Sequence, residues 1–407
     1  KALILSAFLM LVLSLLPGIP MIPFVGLSLV IGGLAFFLYQ KEVNKKRQAE
    51  TLLLEANQND IEEEPLSSAL QIDQVRLELG YGLLPLVSET DENYRLTDQI
   101  KSLRRQIASE SGFIMPQVRI QDNLQLPPNS YVVRIKEIEV GTSDIRPNRL
   151  LVMDASGDAI DLPGTETVEP TFGLPAMWVD PDNREEATFK GYTVVDPATV
   201  ITTHLTELIR DNMSELLSYV ETQNLLDELP NEHQKLVGEV VPNQISVGGI
   251  QRVLQNLLNE RVSIRDLPTI LEGISEACAF TRNVTQITEH VRSRLARQIS
   301  EQNSTENNFI PLVTLSAEWE QIFSDSILDQ GDDKQLSMAP SQLQRFIGAV
   351  RTTLEELGDT EDPPVVLTSP AARPFVRSII ERFRPTTSIM SQNELHPKAK
   401  IKTLGQI

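Results

Sequence analysis

Residues 162–205 read LPGTETVEPTFGLPAMWVDPDNREEATFKGYTVVDPATVITTHL, three unlike pieces in succession. The first holds Val168, Pro170, Phe172, Leu174, Met177 and Trp178 among prolines and glycines, with neither helical nor strand periodicity. The second, residues 180–186, is an acidic, solvated run. The third is a short strand over 192–195 that turns through Asp196-Pro197 into a helix. A carboxylate at the N-cap followed by proline at the first helical position is a strong helix start, because proline lacks an N–H where none is needed. Phe172 and Trp178 admit two readings: aromatics buried in a loop, or an apolar patch that docks a partner.

Upstream, residues 72–153 alternate strand and helix. A strand is expected over 79–87 and a helix over 98–111, capped by Thr97 or Asp98 and stopped by Gly112. Further strands are expected at 118–120, 131–135 and 150–153, with a bulge near Lys136-Glu137 where the apolar face switches. This order builds a small α/β core (72–147 and 197–216) carrying an inserted α+β subdomain (148–196). Downstream, three apolar stripes at helical spacing, beginning at Ile250, Ile264 and Val284, make residues 217–300 a helical subdomain. Arg292, Arg294 and Arg297 are expected on its solvent side. Residues 301–395 alternate again, with strands at 310–315, 364–367 and 387–390 and helices at 317–328, 341–357 and 370–383, which predicts a small parallel sheet. The basic tail, 396–407, is expected to be mobile.

The chain starts at Lys1 and carries no charged residue from Ala2 to Gln40. Two apolar runs there flank a PGIPMIP turn, so residues 1–40 are read as a transmembrane helical hairpin ending a longer membrane domain. Lys41, Lys45, Lys46 and Arg47 follow directly, which places the rest of the chain in the cytoplasm. Residues 41–71 read as a polar linker. The fold class is thus a hairpin followed by a multidomain α+β and α/β body.

A net charge of −20 over 407 residues argues against a nucleic-acid partner, whose phosphates need a basic face. The lone cysteine, Cys278, allows no intrachain disulfide framework and sits among apolar neighbours as a packed thiol. There is no Gly-Lys dipeptide for a P-loop, no HExxH and no GxSxG. The four histidines lie far apart, and His204 reads as structural. Asp180-Pro181-Asp182-Asn183 lacks the glycine and terminal glutamate of a calcium loop. No enzyme, metal or cofactor is expected; the pattern is that of an anchored docking platform.

Five stretches resemble one family in order along the chain: L-G-Y-G-L-L-P-L-V (79–87), V-E-P-T-F-G-L-P-A-M-W (168–178), G-Y-T-V-V-D-P-A-T-V-I-T-T-H-L (191–205), V-L-Q-N-L-L-N-E-R-V-S-I-R-D-L (253–267) and R-P-F-V-R-S-I-I-E-R-F (373–383). They are similar to the FlhA-type export-gate proteins, the FHIPEP family of flagellar and type III secretion systems. The resemblance implies an inner-membrane export-gate component whose cytoplasmic region forms a nonameric ring. That ring docks export chaperones with their substrates and communicates with the export ATPase complex and other gate proteins. It also implies a chaperone-binding dimple at Glu169, Pro170, Phe172 and Thr203, with Met153 and Ala155 as apolar wall. Glu169 stands where the family carries aspartate, one methylene shorter, and is expected as a charged rim contact beside the Phe172 anchor. The family's linker tryptophan has no counterpart, since no tryptophan precedes Trp178. The tail K-A-K-I-K-T-L-G-Q-I resembles the flagellar branch. The rival readings are the virulence injectisome branch and a membrane-anchored enzyme with an unrecognised α/β site.

Overall fold

A computed structural model describes residues 72–88, 95–154, 159–330, 333–358 and 363–407. The expected hairpin and linker, residues 1–71, lie outside the described residues, as does Ala155. Among the described residues no helix is long and apolar enough to cross a membrane.

The first sheet orders its strands β2-β1-β3-β4. Strand β1 is Val75–Leu79, and a 3-10 turn (Tyr81–Leu83) and the short helix α1 (Pro85–Ser88) follow it. The strand expected over 79–87 therefore ends where it was to begin. Gly80 lies against the Pro127 and Pro128 carbonyls with no room for a Cβ, and that close approach turns the chain out of the sheet. Helix α2 (Leu96–Ser111) buries Leu96, Ile100, Leu103 and Ile107 and ends as expected at Gly112, whose φ is 72°. Its N-cap is Arg95 rather than Thr97 or Asp98; Asp98 lies in the first turn and binds Lys101 instead.

Strands β2 (Val118–Asp122), β3 (Ser130–Ile135) and β4 (Ile138–Asp144) complete the sheet, with β1 parallel to β2 and antiparallel to β3. Lys136 and Glu137 form no bulge. Both have positive φ, 48° and 69°, and make the two-residue hairpin turn that matches strand twist. The register slips beyond it, at Val133/Arg134, where Val140 is the extra residue.

The second sheet, β6-β7-β5-β8, is antiparallel: β5 is Leu150–Met153, β6 Gly164–Val168, β7 Pro175–Val179 and β8 Thr193–Val195. Helix α3 (Arg184–Phe189) lies between β7 and β8 in sequence. The stretch without periodicity is thus two strands and a tight loop. Its second strand alternates between two cores, which hides the pattern: Ala176 and Trp178 of β7 face the main core with Leu151 of β5, while Met177 and Val179 pack with Val152 and Ala187; β6 is mostly exposed. Helix α4 (Pro197–Leu216) starts as expected, Asp196 accepting from the Thr199 N–H at 3.0 Å.

Helices α5 (Tyr219–Asp227), α6 (Asn231–Val240), α7 (Val247–Asn259), α8 (Leu267–Cys278), α9 (Val284–Arg294) and α10 (Ala296–Gln302) bury the expected stripes. Arg292, expected in solvent, is buried on α9, because the Glu394 carboxylate from beyond the helical region reaches it.

Strand β9 (Ile310–Thr314), helix α11 (Ala317–Ser326), the hairpin β10 (Ile327–Gln330) and β11 (Asp333–Leu336), and helix α12 (Pro340–Glu356) come next. Strand β12 (Val365–Thr368), helix α13 (Arg373–Ile380), and strands β13 (Ile389–Ser391) and β14 (Ile401–Gln406) end the chain. The sheet β13-β12-β9-β14 is parallel throughout, as the alternation predicts. Trp319, Phe323 and Phe346 pack edge to face in its core, with centroids 5.0–5.2 Å apart. The tail expected to be mobile supplies β14, and Ile407 is buried. Its Lys-rich sequence suits an edge strand, where charge discourages further pairing.

Candidate functional site: a phenylalanine tip above a threonine-lined groove

The turn between β6 and β7 is six residues, Glu169 to Leu174, closed by Glu169 N–H donating to the Leu174 carbonyl (2.9 Å) and Gly173 N–H to the Glu169 carbonyl (3.0 Å). Gly173 sits at φ 70°, a conformation other residues adopt only with strain. At the tip, Phe172 is 63% exposed, with Val168 and Leu174 exposed beside it. Trp178, three residues along β7, is 4% exposed. The two aromatics therefore divide the two sequence readings between them: Trp178 is core, Phe172 is surface.

Phe172 overhangs a groove of about 940 Å³ between α2 and α4. Thr199, Thr202, Thr203 and Thr206 line it from α4, and Gln99, Ser102 and Gln106 from α2. Spacings of three, four and seven put the four threonines on one helix face. That periodic hydroxyl stripe was readable in the sequence, and only Thr203 was singled out. The floor is a joined network: Thr202 Oγ1 donates to Gln99 Oε1 (2.8 Å), and Thr199 Oγ1 to Asp196 Oδ2 (2.6 Å).

The structure brings Phe172 and Thr203 to one groove. Met153 and Pro170 are half-buried and do not line it. Glu169 departs furthest from expectation. It is 3% exposed, and its Oε2 accepts from the N–H groups of Thr171 (2.9 Å) and Phe172 (2.6 Å). The carboxylate folds back under its own turn instead of reaching a rim.

Behind that turn Tyr131 Oη lies 2.6 Å from His204 Nδ1, both side chains buried. Burial pushes the Tyr131 phenol up, and Glu169 adds to the rise. Burial pulls the His204 imidazole down against the opposing pull of Glu169. Both are thus neutral near pH 7. A Cβ on Gly141 would stand 3.0 Å from His204 Cε1, so β4 closes over the ring and fixes it. Nothing in the sequence singled out Tyr131.

Among the described residues no His, Cys, Asp or Glu cluster could hold a metal ion. Burial pushes the Cys278 thiol up, the direction of an inert side chain.

Residues 1–400 match the family model described as FHIPEP. The chain belongs to the FHIPEP family. It is 51% identical over 396 residues to the flagellar biosynthesis protein FlhA of Caulobacter vibrioides, covering 97% of this chain and 56% of that protein. The chain thus spans about half the length of the curated relatives it matches. Among solved structures, the Chlamydia pneumoniae CdsV protein superposes with a TM-score of 0.75 at 26% identity, over 83% of this chain and 98% of that one. The CdsV and CdsO protein complex gives 0.74 at 25% identity, over 82% and 97%. The nonameric EPEC SctV-C shares the fold, with a TM-score of 0.67 at 22% identity over 83% and 98%. The FHIPEP match and the mixed α/β fold agree with the resemblance carried by residues 79–87, 168–178, 191–205, 253–267 and 373–383.

Proposed function

We propose that this chain is the carboxy-terminal part of a flagellar type III export gate, and that its body is a docking platform for export chaperones carrying their substrates. The observation that supports this most is Phe172: a large aromatic held out to solvent by a closed turn, over a groove of hydroxyls and amides. Such a tip has the character of an interface anchor, an apolar side chain that a partner desolvates while polar neighbours fix the register. Of the expected dimple residues, Phe172 is the proposed anchor and Thr203 a hydroxyl at its edge; Glu169 lies buried beneath the turn, Pro170 and Met153 stand outside the groove, and Ala155 lies outside the described residues.

Residues 1–40 would anchor the chain in the bacterial inner membrane, with the body in the cytoplasm. The subunits would assemble as a ring and contact the export ATPase complex and other gate proteins. The 51% identity to a flagellar relative, against 26% to CdsV, favours the flagellar over the injectisome branch. An enzymatic reading would need perturbed carboxylates in a substrate-sized cleft. The perturbed carboxylates Glu260 and Glu289 are instead bound to Arg373; the cavity beside Glu260 is about 80 Å³, and the one of about 520 Å³ beside Glu289 has no second carboxylate in its lining among the described residues.

The test is a pull-down titration of residues 69–407 against the organism's flagellar chaperones, each with substrate bound. Binding by at least one complex, lost in Phe172→Ala, is the expected result. A folded chain that captures none of them refutes the docking reading.

A further inference from the structure

Glu169 is a charged residue at a proposed docking site, yet almost none of it reaches solvent. Among the described residues no lysine or arginine pairs with it. Its charge is held by two successive backbone N–H groups, those of Thr171 and Phe172. A carboxylate that accepts from residues two and three along stabilises the same kind of turn that an aspartate makes with its neighbours. Here the grip lies inside a loop whose ends are already tied by two backbone hydrogen bonds and whose second residue is proline. The remaining freedom is in the Thr171-Phe172 peptide, and the carboxylate removes it. Phe172 commits its N–H inward and its ring outward.

We propose that Glu169 is a positioning residue: the buried carboxylate sets the direction of the Phe172 ring, and no partner touches it. Its consequence for binding rests on the docking reading above, whereas the grip itself is a property of the free chain. A partner would feel Glu169 only through Phe172. Aspartate, which can cap the same two amides, should replace it; alanine, which cannot, should not.

Two measurements on the full chain test this. Hydrogen exchange over residues 165–178 in the free protein should show the Thr171 and Phe172 amides protected in the native chain and in Glu169→Asp. In Glu169→Ala they should exchange at least about tenfold faster, the scale of a lost charge-assisted hydrogen bond. Unchanged protection in Glu169→Ala, with an unchanged melting temperature, overturns the proposal. Binding of one purified flagellar chaperone–substrate complex is then titrated at low and high salt. Glu169→Ala should weaken it about tenfold, and Glu169→Asp less than about twofold, with the same salt dependence in all three proteins. A salt dependence that falls in Glu169→Ala means that the carboxylate meets a cation on the partner, which also overturns the proposal. If the native chain binds no such complex, the docking reading fails, while the exchange experiment still decides the grip.

Discussion

Two sets of carboxylates in this protein are held in different ways. Glu169 and Asp196 are satisfied by backbone N–H groups two or three residues away. Glu260 at the end of α7, Glu289 on α9 and Glu394 after β13 are satisfied by guanidiniums. Arg373, 1% exposed at the start of α13, meets all three, and Arg292 binds Glu260 and Glu394. An amide-held carboxylate organises only its own turn. A guanidinium-held one ties elements far apart in sequence: Arg373 to Glu260 spans 113 residues. The first kind leaves a side chain such as Phe172 presented to solvent; the second joins α7 and α9 to the parallel sheet.

The contrast breaks first at Arg373. Arg373→Ala leaves the buried Glu394 and the partly buried Glu260 and Glu289 short of a partner and should destabilise the fold by about 3–5 kcal/mol. Urea denaturation followed by circular dichroism would show it, and a loss below about 1 kcal/mol would mean that Arg292 alone suffices. Acid should loosen the same cluster by a smaller amount. Burial alone would push the Glu260 carboxyl up, but Arg292 and Arg373 overcome it and hold the group at about 2. Because that lies below the ordinary value of 4.5, Glu260's contribution is complete above pH 4.5 and is lost as pH falls towards 2. Glu289 opposes it, since burial raises its carboxyl despite Arg373. Melting temperature should therefore fall between pH 4.5 and 2 in the native chain and fall less in Glu260→Gln. Equal slopes would place the acid sensitivity elsewhere.

The amide-held class should cost least. Asp196→Ala removes the N-cap of α4, worth about 1 kcal/mol, and Asp196→Asn should recover most of it. Thermal melting of the pair would sharpen the distinction, because an amide-held carboxylate needs its oxygen more than its charge.

Much of this was legible beforehand, and the failures share a cause. Helix α2 ending at Gly112, α4 starting at Pro197 and the parallel sheet all follow from local rules of capping and alternation. Strands β6 and β7 did not: β6 is a polar, mostly exposed strand with no buried face, and the two faces of β7 pack against different apolar cores, so neither shows alternation. Periodicity puts Arg292 in solvent because it sees only its own helix, while its partner Glu394 lies 102 residues away. Glu169 departs from the expected rim contact for the same reason: the sequence shows a charge next to an anchor, and the fold of the turn decides which way it points. Phe172 itself was legible through resemblance; its 63% exposure is what separates it from Trp178.

That exposure also supplies the most direct test. Phe189, at the end of α3, is 92% exposed and lines no part of the groove. Calorimetric titration of a flagellar chaperone–substrate complex into the native chain, Phe172→Ala and Phe189→Ala compares two bare phenylalanines under one condition. The account predicts a loss of about 2 kcal/mol or more for Phe172→Ala and an unchanged affinity for Phe189→Ala. Equal affinities in all three proteins would contradict it.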